Sequence, residues 1–350
     1  MKIAYYVEYG YHYLEHIEAL YKEHEGMIIT LSPITAEMLQ KKDYHVKLAN
    51  GHTPDLLRYV DADVVVYPGN RKIPDPNKKH VIVNHGVSDK TFLTKMGTGN
   101  FDLVLLPGQK DYNAIAETGA NMGKYKVVGY NKFSLLNDME PINLFNNDKK
   151  TIIYAPTWNY SPGHGGINIR SSWTYIKTIC KAIGKDYNLI IKPHPVIDML
   201  ISSDFYLYII DPAKDNIKYI DDYRSLAYMQ QADLMLTDIS SVAYEWLYFD
   251  KPIVFINPNP AAVKKGTAET AIWNVGELVE FRKDVIGIDS EVSNENLLRT
   301  GIEHAFANSE KQQHERDKLL KHAYLSPRDG LSAKRAIEAI RTMYEGKMLL

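Results

Sequence analysis

Short apolar runs recur along the first part of the chain, separated by stretches of helical periodicity. They are Lys2 to Val7, Met27 to Leu31, His45 to Ala49, Ala62 to Tyr67, His80 to Asn84, Asp102 to Leu106 and Lys126 to Val128. Several, such as Asp63-Val64-Val65-Val66-Tyr67, are apolar throughout and do not alternate, as in strands that helices cover on both faces. The pattern predicts a parallel sheet. A second set follows at Thr151 to Ala155, Asn188 to Lys192, Leu234 to Thr237, Pro252 to Ile256 and Val285 to Ile288, again with helical segments between. Between the sets, Asn137-Asp138-Met139-Glu140-Pro141 and Asn146-Asn147-Asp148-Lys149-Lys150 are polar and turn-rich, which suits a linker.

These patterns predict an α/β chain of two Rossmann-like domains, 1–140 and 150–328. The last segment, 329–350, contains Gly330 to Ile340 with apolar positions three and four apart, an amphipathic helix able to pack back on the first domain. A length of 350 residues agrees, since one hydrophobic core stops growing below that size.

Composition narrows the function classes. Apolar residues are 45% and charged residues 24%, an ordinary globular balance, and no run approaches the length of a spanning helix. The sequence enters a strand at Lys2 without a secretory leader, so a cytoplasmic chain is expected, in reach of the inner membrane face. Basic pairs such as Arg71-Lys72 and Lys78-Lys79 could touch anionic lipid or simply face solvent. A net charge of −2 gives no basic footprint for nucleic acid. The single cysteine, Cys180, excludes an intrachain disulfide and reads as core. There is no HExxH motif, no phosphate loop of the GxxxxGK type and no GxSxG elbow, so metal-independent, cofactor-free chemistry is expected.

Ligands of open parallel sheets bind beyond the carboxyl ends of the strands. Four segments sit there. His85, before Gly86, can take a proton from an attacking hydroxyl, or can be a hydrogen-bonded structural histidine; Gly86 would let backbone approach a ligand. His194, between Pro193 and Pro195, reads as a stiffened donor to phosphate or as a rigid turn, with Lys192 beside it. Thr237-Asp238-Ile239-Ser240-Ser241 leads into a helical stretch from Val242 to Phe249, whose first turn would offer N–H groups and hydroxyls to an anion. The plainer alternative there is an N-cap. Glu245, one turn in, could reach a ribose diol. Thr157 follows the run from Thr151 to Ala155, ahead of a glycine-rich stretch containing His164 that could close over a ligand. Tyr9, Tyr11 and Tyr13 could line an acceptor cleft or be ordinary packing.

In this order the segments resemble the CDP-glycerol glycerophosphotransferase family of teichoic-acid primases and polymerases. The resemblance runs through His85-Gly86 with Lys90, Ala155-Pro156-Thr157-Trp158, Lys192-Pro193-His194-Pro195, Thr237-Asp238-Ile239-Ser240-Ser241-Val242, Lys251-Pro252-Ile253-Val254-Phe255, and Asp329-Gly330 with Arg335. It implies a GT-B fold with a cleft between the domains and a CDP-glycerol donor. It also implies His85 as catalytic base, His194 on the donor diphosphate, Ser240 and Ser241 on phosphate oxygens, an acidic donor-site residue at Glu245, and Lys90 and Arg335 near acceptor or phosphate. The implied acceptor is a lipid-linked saccharide or a capsule oligosaccharide.

The chain departs from the family pattern at Asn84, where an aromatic residue is usual, at Val87-Ser88-Asp89, and at Asn159, a usual arginine position. Acceptor or donor could differ accordingly, and ribitol could replace glycerol. Without the large polymerases' extra N-terminal region, a primase-like single addition or a capsule-type transfer is the expectation. Two other readings stay open: a nucleotide-sugar enzyme of the same architecture, either a glycosyltransferase or a UDP-GlcNAc 2-epimerase, and a non-catalytic assembly protein. Oligomeric state has no signature in the sequence.

Overall fold

The computed structural model describes residues 1–8, 11–51, 54–69, 71–87, 100–156, 175–194, 215–238, 240–256, 288–290 and 294–347. These divide between two compact units. One takes in Met1–Val87, Phe92–Asp138 and Lys321–Leu350, and the other Met139–Leu320.

In the first unit, seven strands form one parallel sheet: β1 (Ile3–Val7), β2 (Met27–Thr30), β3 (Val46–Leu48), β4 (Val64–Tyr67), β5 (Lys79–Val83), β6 (Leu103–Leu106) and β7 (Tyr125–Val127). Their order is β3-β2-β1-β4-β5-β6-β7, so the winding direction reverses between β1 and β4. All seven match the expected runs, and the reason they read clearly is burial: β1, β4 and β6 are covered at every position. Helix α1 (Leu14–Glu23), α2 (Pro33–Gln40) and α3 (Gln109–Ala116) connect them. The Ser32 hydroxyl caps α2 by accepting from the Thr35 N–H at 3.2 Å, with Pro33 opening the helix.

The second unit holds six parallel strands: β8 (Thr151–Tyr154), β9 (Asn188–Ile191), β10 (Ile217–Tyr219), β11 (Leu234–Thr237), β12 (Ile253–Ile256) and β13 (Ile288–Ser290), in the order β10-β9-β8-β11-β12-β13. Its winding reverses between β8 and β11. The helices are α4 (Ile176–Ile183), α5 (Ser225–Gln231), α6 (Val242–Trp246), α7 (Glu295–Asn308) and α8 (Gln313–Ala323), the last running into the first unit at Lys321. Cys180 is core, as expected, buried with Ile176, Ile179 and Ile183 on the inner face of α4.

The structure differs from the expected pattern at three places. Strand β10 has no counterpart among the expected runs, because a three-residue edge strand with only Ile217 fully buried carries too little apolar signal. Residues Asn131–Asn137 form a 3-10 helix whose Phe133 and Leu135 are buried in the first unit, and the division falls after Asp138. The return to the first unit begins at Lys321 instead of 329, since Tyr324 is buried against Tyr130 and Phe133 and the Leu325 N–H binds the Pro107 carbonyl at 2.8 Å. Helix α9 (Ser332–Tyr344) then packs on α1 and on 131–137, burying Ala333, Ala336, Ile337 and Ile340. Its entry needs Gly330 at φ 70°, where a Cβ would lie 2.0 Å from the Asn137 amide.

Candidate active site

Strands β4 and β5 pair in register with Tyr67 beside Ile82, so both end at the same edge of the sheet. Just past those ends the His85 Nδ1 lies 2.6 Å from the Pro68 carbonyl oxygen. A carbonyl only accepts, so Nδ1 carries the proton, and Nε2 is the nitrogen with a lone pair to offer. That is the tautomer a general base requires. The Tyr13 ring packs edge-on to the imidazole at 5.1 Å and 79°. Burial, with the Glu8 charge adding to it, pushes the Tyr13 phenol up to about 12, so it faces His85 as a neutral group. The Tyr130 hydroxyl donates to the His85 carbonyl at 3.4 Å and lies 3.4 Å from His16 Nε2. Beside His16, Lys132 pairs with Glu15 at 2.9 Å, and both of these side chains are buried.

Asn84 does not project towards a ligand. Its side chain is buried, accepting from the Gly86 N–H at 3.0 Å and donating to Asp111 Oδ2 at 2.8 Å. The Gly86 N–H, expected to approach phosphate or acceptor, is therefore already engaged. Lys90 lies outside the described residues, as do Thr157, the stretch with His164, and Tyr9.

In the second unit, Asp238 and Ser240 follow β11 at the reversal of winding, the position where open sheets bind ligands. Both are buried, at 2% and 4% exposure, while Ser241 and His194 are half-buried. Thr237 is turned elsewhere: its hydroxyl donates to the Ala155 carbonyl at 2.7 Å in a fully buried position, tying β11 to the end of β8. Lys192 is also buried, with its backbone N–H on the Tyr154 carbonyl at 2.9 Å. The expected helix from Val242 to Phe249 is α6 followed by a 3-10 turn, Leu247–Phe249, and the Ser241 hydroxyl makes no capping bond to it. Glu245, expected to reach a ribose, is buried within α6 at 4% exposure.

Arg335 is engaged inside the first unit. Its Nε donates to the Val128 carbonyl at 2.7 Å and its Nη1 to Asp329 at 2.6 Å. The Asp-Gly and Arg of that motif thus hold the entry of α9.

Sequence reasoning passes over three groups. Asp111 lies in the first turn of α3, just past the end of β6, so the strand-end rule could have found it. Pro68 shows in the sequence only as the end of a run, with nothing to mark its carbonyl. Asp222 follows β10, the strand without a clear signal, and accepts from the Arg224 backbone N–H at 3.0 Å, its Nε at 2.8 Å and the Tyr228 hydroxyl at 2.9 Å. Burial works to raise that carboxyl, but these bonds outweigh it and hold it below the ordinary range. Among the described residues no three His, Cys, Asp or Glu side chains gather as a metal site, and no helix is long and apolar enough to cross a membrane.

A family model described as CDP-Glycerol:Poly(glycerophosphate) glycerophosphotransferase matches residues 84–341. Over 107 residues, 31% of the chain, the sequence is 31% identical to the teichoic acid glycerol-phosphate primase of Bacillus subtilis (strain 168), covering 25% of that protein. Over 116 residues, 32% of the chain, it is 28% identical to the teichoic acid poly(glycerol phosphate) polymerase of the same strain, covering 14% of it. The matched stretches thus span a quarter or less of these relatives' lengths. Among solved structures, the wall teichoic acid polymerase TagF matches with a TM-score of 0.68 at 15% identity, over 99% of this chain and 90% of that one. The S. aureus MnaA-UDP co-structure matches with a TM-score of 0.62 at 15% identity, over 99% of this chain and 97% of that one. At such identities the likeness establishes the fold, the expected GT-B class with two parallel sheets.

Proposed function

The chain belongs to the CDP-glycerol:poly(glycerophosphate) glycerophosphotransferase family, and from that premise we propose that it moves glycerol phosphate, or a related polyol phosphate, from CDP-glycerol to an acceptor hydroxyl. The acceptor is a lipid-linked or capsule oligosaccharide in teichoic-acid or similar polymer synthesis, met at the cytoplasmic face of the membrane. The observation that carries the reading is the tautomer of His85, which follows β5 and is fixed by the Pro68 carbonyl at the end of β4.

In the proposed step the acceptor oxygen attacks the β-phosphorus, the bond from that phosphorus to the bridging oxygen breaks, and CMP leaves. His85 Nε2 takes the acceptor proton. His194, Ser240 and Ser241 hold the donor phosphates and offset the negative charge that grows on CMP, while Lys192 and Asp238 shape the region around them. No cofactor or metal takes part. Thr237 and Arg335 act on the scaffold.

His85→Ala is expected to lower CMP release from CDP-glycerol, with acceptor present, by roughly 10²–10⁴-fold, the usual cost of losing a general base. Unchanged release would remove the base assignment. Donor identity is read by thermal shift with CDP-glycerol, CDP-ribitol, CMP-sugars and UDP-GlcNAc. Stabilisation by CDP-glycerol or CDP-ribitol supports the reading, whereas a response to UDP-GlcNAc alone would replace it with nucleotide-sugar chemistry.

A further inference from the structure

Asn84 and Gly86 flank His85, and the Asn84 side chain reaches across it to the Gly86 N–H at 3.0 Å. That contact fixes the orientation of the amide. An N–H can only donate, so Oδ1 faces Gly86 and Nδ2 faces Asp111, where the 2.8 Å contact to a carboxylate needs a donor. Asn84 and Asp111 are 8% and 7% exposed, so little water competes for the bond between them.

Asp111 is itself well anchored. It sits in the first turn of α3, and α3 opens at Gly108, where a Cβ would lie 2.1 Å from the Ala323 carbonyl oxygen. The start of the helix is thus in close backbone contact with the segment at Ala323, where only glycine fits. A rigid chain of contacts runs from that packed helix through Asp111 and Asn84 to the turn that carries His85. On its other side the imidazole rests on the Pro68 carbonyl and the Tyr13 ring.

We propose that Asn84 and Asp111 are the positioning residues for His85: together they fix the backbone turn that keeps its Nδ1–H on Pro68 and aims its Nε2 at the acceptor proton. The proposal rests on the reading of His85 as base. Asn84 suits this place because one amide supplies an acceptor to the Gly86 N–H and a donor to Asp111. Aspartate at position 84 would keep the first contact and set two carboxylates against each other in the second. Exchanging the partners restores it, because an amide at position 111 would donate to the carboxylate at position 84, which still accepts from the Gly86 N–H.

The test uses the full chain as Asn84→Ala, Asn84→Asp and the exchange Asn84→Asp with Asp111→Asn. His85 is followed by NMR of histidine-labelled protein, its signals assigned through His85→Ala, and CMP release from CDP-glycerol is measured alongside. The single substitutions are expected to spread His85 over both tautomers and to lower CMP release by up to about 10²-fold, the scale of a misplaced reacting group. CDP-glycerol should still raise the melting temperature of each as in the unsubstituted chain. The exchange is expected to regain the single tautomer and most of the rate. Singles that leave the tautomer unchanged, or an exchange that melts normally yet recovers neither readout, would overturn the pairing. If His85→Ala itself kept CMP release, the base reading would fall while the tautomer readout still judged the pairing. If a single substitution failed to fold, recovery of folding and tautomer in the exchange would support the pairing, and their loss would defeat it.

Discussion

Beneath the candidate base, His16 is enclosed on all sides. Burial, then the charges of Lys132, His85 and His12, hold its imidazole well below the ordinary value, so it is neutral in the folded chain. The unfolded chain takes up that proton near pH 6.5, as an ordinary histidine does. Below about that pH the unfolded state binds more protons, so stability is complete above it and falls as the solution is acidified. His80, lowered chiefly by burial, adds to the same slope. His16→Gln is expected to flatten the fall between about pH 6.5 and 5 without abolishing it, measured by urea unfolding at a series of pH values; an unaltered slope would show that His16 is not the source. This residue scale is where the sequence is least legible. His85 stands out because a histidine after an apolar run is visible in one short window. The bond from Asn84 to Asp111 joins positions 27 apart and depends on how α3 lies over the sheet, which no local pattern encodes.

Among the elements, α9 shows how a motif can be recognised without its contacts being legible. The Asp329-Gly330 and Arg335 positions carry the family resemblance, and an arginine near a phosphate site invites an anion-binding role. In the structure the guanidinium holds Val128 and Asp329, while Gly330 turns the chain against Asn137. The Asp329 carboxyl is held below its usual range although burial opposes this, because Arg335 donates to it. Arg335→Ala is therefore expected to cost about 1.5–3 kcal/mol of stability, as for lost hydrogen bonds to charged groups. Urea unfolding would show that cost, with CDP-glycerol still stabilising the variant. Lost CMP release at unchanged stability would return Arg335 to the substrate. Strand positions are legible because buried parallel strands are apolar at every position. Strand β10 and the 131–137 segment are not, since one is a short edge and the other packs a 3-10 helix built partly from Asn and Lys.

For the molecule as a whole, the two-domain division can be read from the polar, turn-rich stretch between the two sets of apolar runs. The point of return cannot, because Lys321 to Ala323 continues the helix α8 without any break in periodicity. That segment belongs to the first unit, so a chain ending at Leu320 loses the cover over α1 and 131–137 while keeping every strand of the second sheet. Such a truncation is expected to abolish CMP release yet retain a CDP-glycerol-dependent rise in melting temperature, provided the donor groups lie in 139–320; loss of that rise would place part of the donor site elsewhere. The interleaving also bears on biosynthesis. As the polypeptide leaves the ribosome, residues 1–138 emerge well before α9 and lack the surface that buries their apolar side. The second unit emerges entire before it. Residues 1–138 therefore have to wait, incompletely covered, until α9 has been translated, and that waiting period is when a chaperone or a stray aggregate would find them.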